Sequence, residues 1–182
     1  MLQLFRYWLD LCLLRAAPQD GPASAFILGF ALSCYVMVSV LVLTIRYGMA
    51  SGAQLAFLDL LVMTVFVLVM LYLSDKTSRV VQTLSALSGA GTLLGLLALP
   101  LVLLSGPAST EASLPFALTL VWLLLSFWNL VVSAHIIRHA LSASLAIGVA
   151  MALLYVLISM QFAATIIPLD GNVTPGETGL GK

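Results

Sequence analysis

Asp59 is the one acidic side chain that falls inside a long apolar run of this 182-residue chain, and it is the first place to look for chemistry. Burying a carboxylate's charge in hydrocarbon is expensive, so such a group either finds donors or serves as a proton or cation site. The run that holds it reads from Leu55 to Leu73, which puts Asp59 about one turn from an end and near Arg46. On that placement a structural role is the expectation, and a proton or cation site the alternative. Trp122, Ser126, Asn129 and Ser133 are spaced i, i+4, i+7 and i+11, so they share one helical face. An unpaired Asn in hydrocarbon is costly, so this face should look inward, with Asn129 as interhelical glue or, alternatively, part of a substrate or ion path. His135 and His139 have an i, i+4 spacing that could grip a metal, but no Glu, Asp or Cys accompanies them. With Arg138 they read as a polar turn at the cytoplasmic surface. No metal and no cofactor is expected. The chain has no G-x-S-x-G, H-E-x-x-H, P-loop or paired carboxylates, so it does not read as an enzyme.

The elements that must position these residues follow from composition. Hydrophobic residues make up 62% of the chain and charged residues 8%, against about a quarter charged in an ordinary soluble domain. Mean hydropathy is +1.17. A membrane span needs about 20 mostly apolar residues. Five runs qualify: 24–45, 55–73, 80–104, 115–134 and 141–167. Their connections, Arg46 to Gln54, Ser74 to Arg79, Ser105 to Ser113 and the turn at His135 to His139, are short, so successive helices should be antiparallel neighbours. Before them, Leu2 to Leu14 places Leu2, Phe5, Trp8, Leu9 and Cys12 on one side and Gln3, Arg6 and Asp10 on another. This reads as a short amphipathic helix lying in the cytoplasmic interface. The fold class expected is therefore all-α, a polytopic bundle of five transmembrane helices preceded by an interfacial amphipathic helix. Residues 1–16 form that helix, 17–167 the membrane domain, and 168–182, rich in glycine, a flexible external tail.

Helices in lipid associate through small residues and interhelical hydrogen bonds. The third run offers Gly89, Gly91 and Gly95, and the fifth Ser144, Gly148 and Ala152, so these two helices should pack in the core or against a partner chain. Pro100 should kink the third helix. Lysine and arginine set orientation: Arg6, Arg15, Lys76, Arg79 and Arg138 gather on one side, with Arg46 and Lys182 on the other. This reads as N-terminus in the cytoplasm and C-terminus outside. The balanced charge, seven basic and seven acidic residues, offers no footprint for nucleic acid. Cys12 and Cys34 lie apart in apolar surroundings and suggest neither a disulfide nor a metal framework.

Two stretches resemble a known family. Lys76 to Leu87, K-T-S-R-V-V-Q-T-L-S-A-L, leads into the small-residue third run. Leu125 to Ser142, L-S-F-W-N-L-V-V-S-A-H-I-I-R-H-A-L-S, joins the fourth run to a basic, His-containing turn. They are similar to the bacterial branch of the YIP family, the Ypt-interacting-protein-like membrane proteins. The resemblance implies five spans, a cytoplasmic N-terminus, a bacterial inner membrane and a scaffold or membrane-organising role. It implies no catalytic residues. The Asp-Leu-Tyr-Gly-Pro motif of eukaryotic members is echoed only by Asp20-Gly21-Pro22, so no vesicle-traffic or GTPase role is carried over. The leading expectation is thus a noncatalytic protein that contacts lipid and a membrane-protein partner or further copies of itself. The alternatives are a small transporter or channel component using Asp59 and Asn129, whose mark would be that both face one cavity, and an accessory subunit of a larger membrane complex.

Overall fold

A computed structural model describes residues 2–106 and 115–166. Six α-helices follow one another: α1 Leu2–Cys12, α2 Ala25–Tyr47, α3 Met49–Leu73, α4 Val80–Ser105, α5 Phe116–Leu141 and α6 Leu145–Ile166. Short 3-10 turns stand at Pro18–Asp20 and Thr77–Arg79. α2 to α6 are each long and apolar enough to cross a membrane. The chain is an all-α polytopic membrane protein, a short N-terminal helix followed by five candidate spans. Most of the connection expected at Ser105 to Ser113 and the tail expected at 168–182 lie outside the described residues.

Two expected connections turn out to be helix. The stretch Arg46 to Gln54 is not a loop, because α2 runs to Tyr47 and α3 starts at Met49. Gly48 alone makes the turn, with φ 84°, a backbone conformation that strains any residue carrying a Cβ. One turn later Gly52 lies against the backbone of Thr44, which lets the two helices meet without side chains between them. Polar residues such as Ser51 and Gln54 do not break a helix; only Gly48 does. At the other end, α5 passes straight through His135–His139 to Leu141, since nothing in that stretch is a Gly or Pro. It stops at Ser142, in the left-handed region with φ 49°, whose N–H donates to His139 O at 3.1 Å. Ser144 is exposed and precedes α6, its hydroxyl 3.5 Å from Ile147 N. α4 continues through Pro100 to Ser105.

Packing follows the small residues. On α4, a Cβ at Gly89 would fall on the Trp8 indole, one at Gly91 2.7 Å from the Tyr35 ring, and one at Gly95 2.8 Å from Val38. The Gly91 to Gly95 pair is therefore the groove that seats α2, and Gly89 the seat of α1. On α6, Gly148 would meet Ala134 O of α5 at 2.6 Å, and Ala152 is buried. The two small-residue helices thus share α5 and otherwise differ, α4 turning to α1 and α2 and α6 to α3. Hydroxyls along α4 donate back one turn: Thr83 to Arg79 O at 2.9 Å, Ser88 to Leu84 O at 2.6 Å and Thr92 to Ser88 O at 2.8 Å.

α1 is seated deeper than a surface anchor, and its buried side differs from the one expected. Trp8, Leu11 and Cys12 are buried with Ala90, Leu94, Val132 and Ile136, while Phe5 and Leu9 are exposed. Leu4 joins the inner side. The second core cluster joins the far half of α3, from Met63 to Leu71, to Leu84, Ala134, Ile137, Ala140 and Ala152. Both clusters sit toward the end of the bundle that carries Lys76 and Arg79, called the basic end below.

Candidate functional site

From the Gly48 end inward the bundle holds a partly open cavity of about 470 Å³ to which all five long helices contribute. Its wall runs on α2 from Tyr35 to Tyr47, on α3 from Leu55 to Val67, on α4 from Leu87 to Gly95, on α5 from Trp122 to Ile137 and on α6 from Tyr155 to Ala163, so it extends from the Gly48 end past mid-depth, where Met63, Val67 and Ile137 of the basic-end core form its floor. Asp59 lines it. Because α3 begins at Met49, Asp59 lies nearly three turns inside the helix, about 15 Å from its end at 1.5 Å per residue, rather than one turn.

Three hydroxyls converge on this carboxylate. Tyr35 of α2 donates to Oδ2, Tyr155 of α6 donates to Oδ1 at 2.9 Å, and Ser159 donates to Oδ1 at 3.4 Å. The acid does not pair with Arg46, whose Nη1 instead donates to Gly106 O at 3.4 Å. Each donor has a local reason to be where it is. Tyr35 rests on Gly91, the only kind of residue that leaves room for its ring. Tyr155 packs on Phe66 of α3 with ring centroids 5.5 Å apart, and Ser159 follows Tyr155 by one turn on the same face of α6.

The polar stripe of α5 faces the same space. Trp122, Ser126, Asn129 and Ser133 all line the cavity, and Ser126 and Asn129 are exposed within it. Among the described residues Asn129 makes no hydrogen bond to another helix; Ser133 of its own helix donates Oγ to its Oδ1 at 3.5 Å. Trp122 ties α5 to the end of α4 by donating to Ser105 Oγ at 3.2 Å. Asp59, Ser126, Asn129 and Ser133 are therefore brought together, joined by Tyr35, Tyr155 and Ser159, which the sequence reading missed. The signal was present: a tyrosine midway along an apolar run needs a partner for its hydroxyl, and Tyr35 and Tyr155 are two such residues.

The basic end does something different. Lys76 Nζ donates to Leu141 O, and Arg79 Nη1 donates to Ala140 O at 3.1 Å and Ser142 Oγ at 2.7 Å. Two cations thus cap the C-terminus of α5, where unpaired carbonyls and the helix dipole favour positive charge. His135 and His139 lie in the last turns of α5, with ring centroids 4.6 Å apart. His135 Nε2 is 3.0 Å from Ala16 O and Nδ1 is 3.3 Å from Arg138 Nη2. A carbonyl only accepts and a guanidinium only donates, so Nε2 carries the proton and the ring ties α5 to the segment after α1. Nearby, burial pushes the Cys12 thiol up to about 11, and burial with the Asp20 carboxylate raises the Tyr7 phenol above its ordinary range. Among the described residues no three His, Cys, Asp or Glu side chains gather in a way that would hold a metal.

The fold and the site define a polytopic integral membrane protein of five candidate spans with a carboxylate-centred cavity at mid-depth. No protein-family model, curated protein or solved structure matches the chain.

Proposed function

We propose that the chain is a noncatalytic membrane protein that admits a small molecule to mid-depth of the bilayer, as a binding or transport component. The observation that supports this reading is that Asp59 of α3 and Asn129 of α5 line one cavity. A protein serving only as a scaffold has little use for a carboxylate, an amide and seven hydroxyls lining one space, since each costs free energy in hydrocarbon. The orientation that goes with it has the basic end in the cytoplasm of a bacterial inner membrane and the cavity half toward the outside, from the distribution of Lys76, Arg79 and Arg138.

Access to the cavity decides between this and a scaffold. In a background with Cys12→Ser and Cys34→Ala, the variants Ser126→Cys and Asn129→Cys are treated in vesicles with a membrane-impermeant, water-soluble thiol reagent. Rapid labelling of both is expected, and the side from which it occurs gives the orientation. Thiols that react only with lipid-soluble reagents would return the protein to the scaffold reading.

The scaffold reading, with its YIP-like resemblance, has one observation in its favour. The two stretches that carry the resemblance meet at the basic end, where Lys76 and Arg79 hold the end of α5. They would then form a rigid cytoplasmic face for a membrane-protein partner.

A further inference from the structure

We infer that the cavity takes a lipophilic organic monocation, an aromatic quaternary ammonium or phosphonium or a protonated amine, with Asp59 as its counter-charge. This rests on the cavity being a ligand site and adds the chemical class of the ligand.

Charge is the first argument. The cavity wall carries one carboxylate and, among the described residues, no Lys, Arg or His. Among the described residues the three partners of Asp59 are neutral hydroxyls, none of them a cation. Arg46 is turned to Gly106 O, and Lys76 and Arg79 are engaged at the far end of the bundle. A carboxylate offers about four acceptor sites. Oδ1 accepts two hydrogen bonds and Oδ2 one, so Oδ2 keeps capacity for a ligand.

The walls say what kind of cation. Tyr35, Tyr47, Phe66, Trp122 and Tyr155 line the cavity, from α2, α3, α5 and α6. Aromatic faces attract a desolvated cation, and they do so for bulky, weakly hydrated ones better than for a bare ion. The volume of about 470 Å³ falls within the range of roughly 300–1,000 Å³ typical of small-molecule pockets. A bare metal ion wants a close shell of oxygens instead. One carboxylate in so large and apolar a space does not supply that shell. An organic anion would meet the field of Asp59 with the wrong sign.

A pair of probes of nearly the same shape and opposite charge provides the test: tetraphenylphosphonium and tetraphenylborate. Equilibrium dialysis against the purified full chain in lipid nanodiscs, with empty nanodiscs as the blank, measures saturable binding of each. The expected result is saturable binding of the phosphonium, at least about tenfold tighter than the borate, which a charge contact of modest strength provides. Asp59→Asn should lose about tenfold or more, and Trp122→Leu, which leaves the carboxylate in place, about threefold. If Asp59→Asn does not fold, the wild-type probe ratio and Trp122→Leu decide. Equal binding of both probes, or phosphonium binding indifferent to both variants, overturns the cation assignment but leaves the cavity a ligand site. Absence of saturable phosphonium binding overturns it as well; if Ser126→Cys and Asn129→Cys also escape water-soluble reagents, the ligand-site reading falls with it.

Discussion

The two ends of this bundle handle polar groups in opposite ways. At the basic end, cations from the α3–α4 connection reach main-chain carbonyls of α5, hydroxyls of α4 bond back one turn, and apolar side chains fill what remains. From mid-depth toward the Gly48 end, hydroxyls from two helices converge on the α3 carboxylate, and Asn129 and Ser126 look into unfilled volume. Interiors are normally packed to the density of organic crystals, so a largely apolar volume of about 470 Å³ with a few polar groups on its wall sets this part of the bundle apart. The filled part holds the helices in place; the hollow part is where the proposed ligand would bind.

The sharpest way to test that contrast is to overfill the filled part. Gly89→Leu drives a side chain into the Trp8 indole and should undock α1, a change expected to exceed the loss of about 3–5 kcal/mol typical of removing a buried tryptophan side chain. Cys12 reports the event. Its thiol pKa near 11 leaves about a thousandth as thiolate at pH 8, so maleimide labelling is slow in the native chain and fast in the variant. Equal labelling of both would mean that α1 is not held by this contact. Trp8→Phe is the milder companion: Trp8 Nε1 is buried with no hydrogen-bond partner, so losing it should cost far less than Trp8→Ala.

Next in size is the carboxylate. Asp59→Leu strands the hydroxyls of Tyr35 and Tyr155, and should lower stability in detergent by about 1–3 kcal/mol. If Tyr35→Phe combined with Asp59→Leu is no less stable than Asp59→Leu alone, the hydroxyl was indeed the stranded group; a further additive loss would deny that the two residues interact.

Smaller again is Arg79→Gln. It removes a cation from the C-terminus of α5 and should cost about 0.5–1 kcal/mol, less at high salt. A salt-independent loss would point to packing instead of charge. The smallest effect is expected at Asn129→Leu. The side chain bonds only weakly to Ser133, so thermal stability should change by no more than about 0.5 kcal/mol while ligand occupancy falls. A large destabilisation would make Asn129 the interhelical glue that its place in the sequence suggested.

Much of the fold was legible because lipid imposes a simple rule: an apolar run long enough to cross must satisfy its own backbone, and a helix does so. That rule found five helices, the amphipathic segment before them and the face shared by Ser126, Asn129 and Ser133. It misplaced the ends. Arg46, Ser51 and Gln54 looked like a loop because their polarity was read as a break, and the same error moved Asp59 from mid-depth to the rim. His135 and His139 looked like a turn for the same reason.

Sequence alone determined that this chain is a membrane-spanning helical protein with one acid inside an apolar run and a polar stripe, because helix formation and hydropathy are local properties of a run of residues. Only the tertiary structure decided that the acid and the stripe share a cavity, that Tyr35 and Tyr155 hold the acid, and that α4 grips α1 and α2 while α6 turns to α5 and α3. Those outcomes depend on how each helix is rotated about its axis and which neighbour it chooses. Small residues such as Gly89, Gly91 and Gly148 permit close approach but carry no address for the partner.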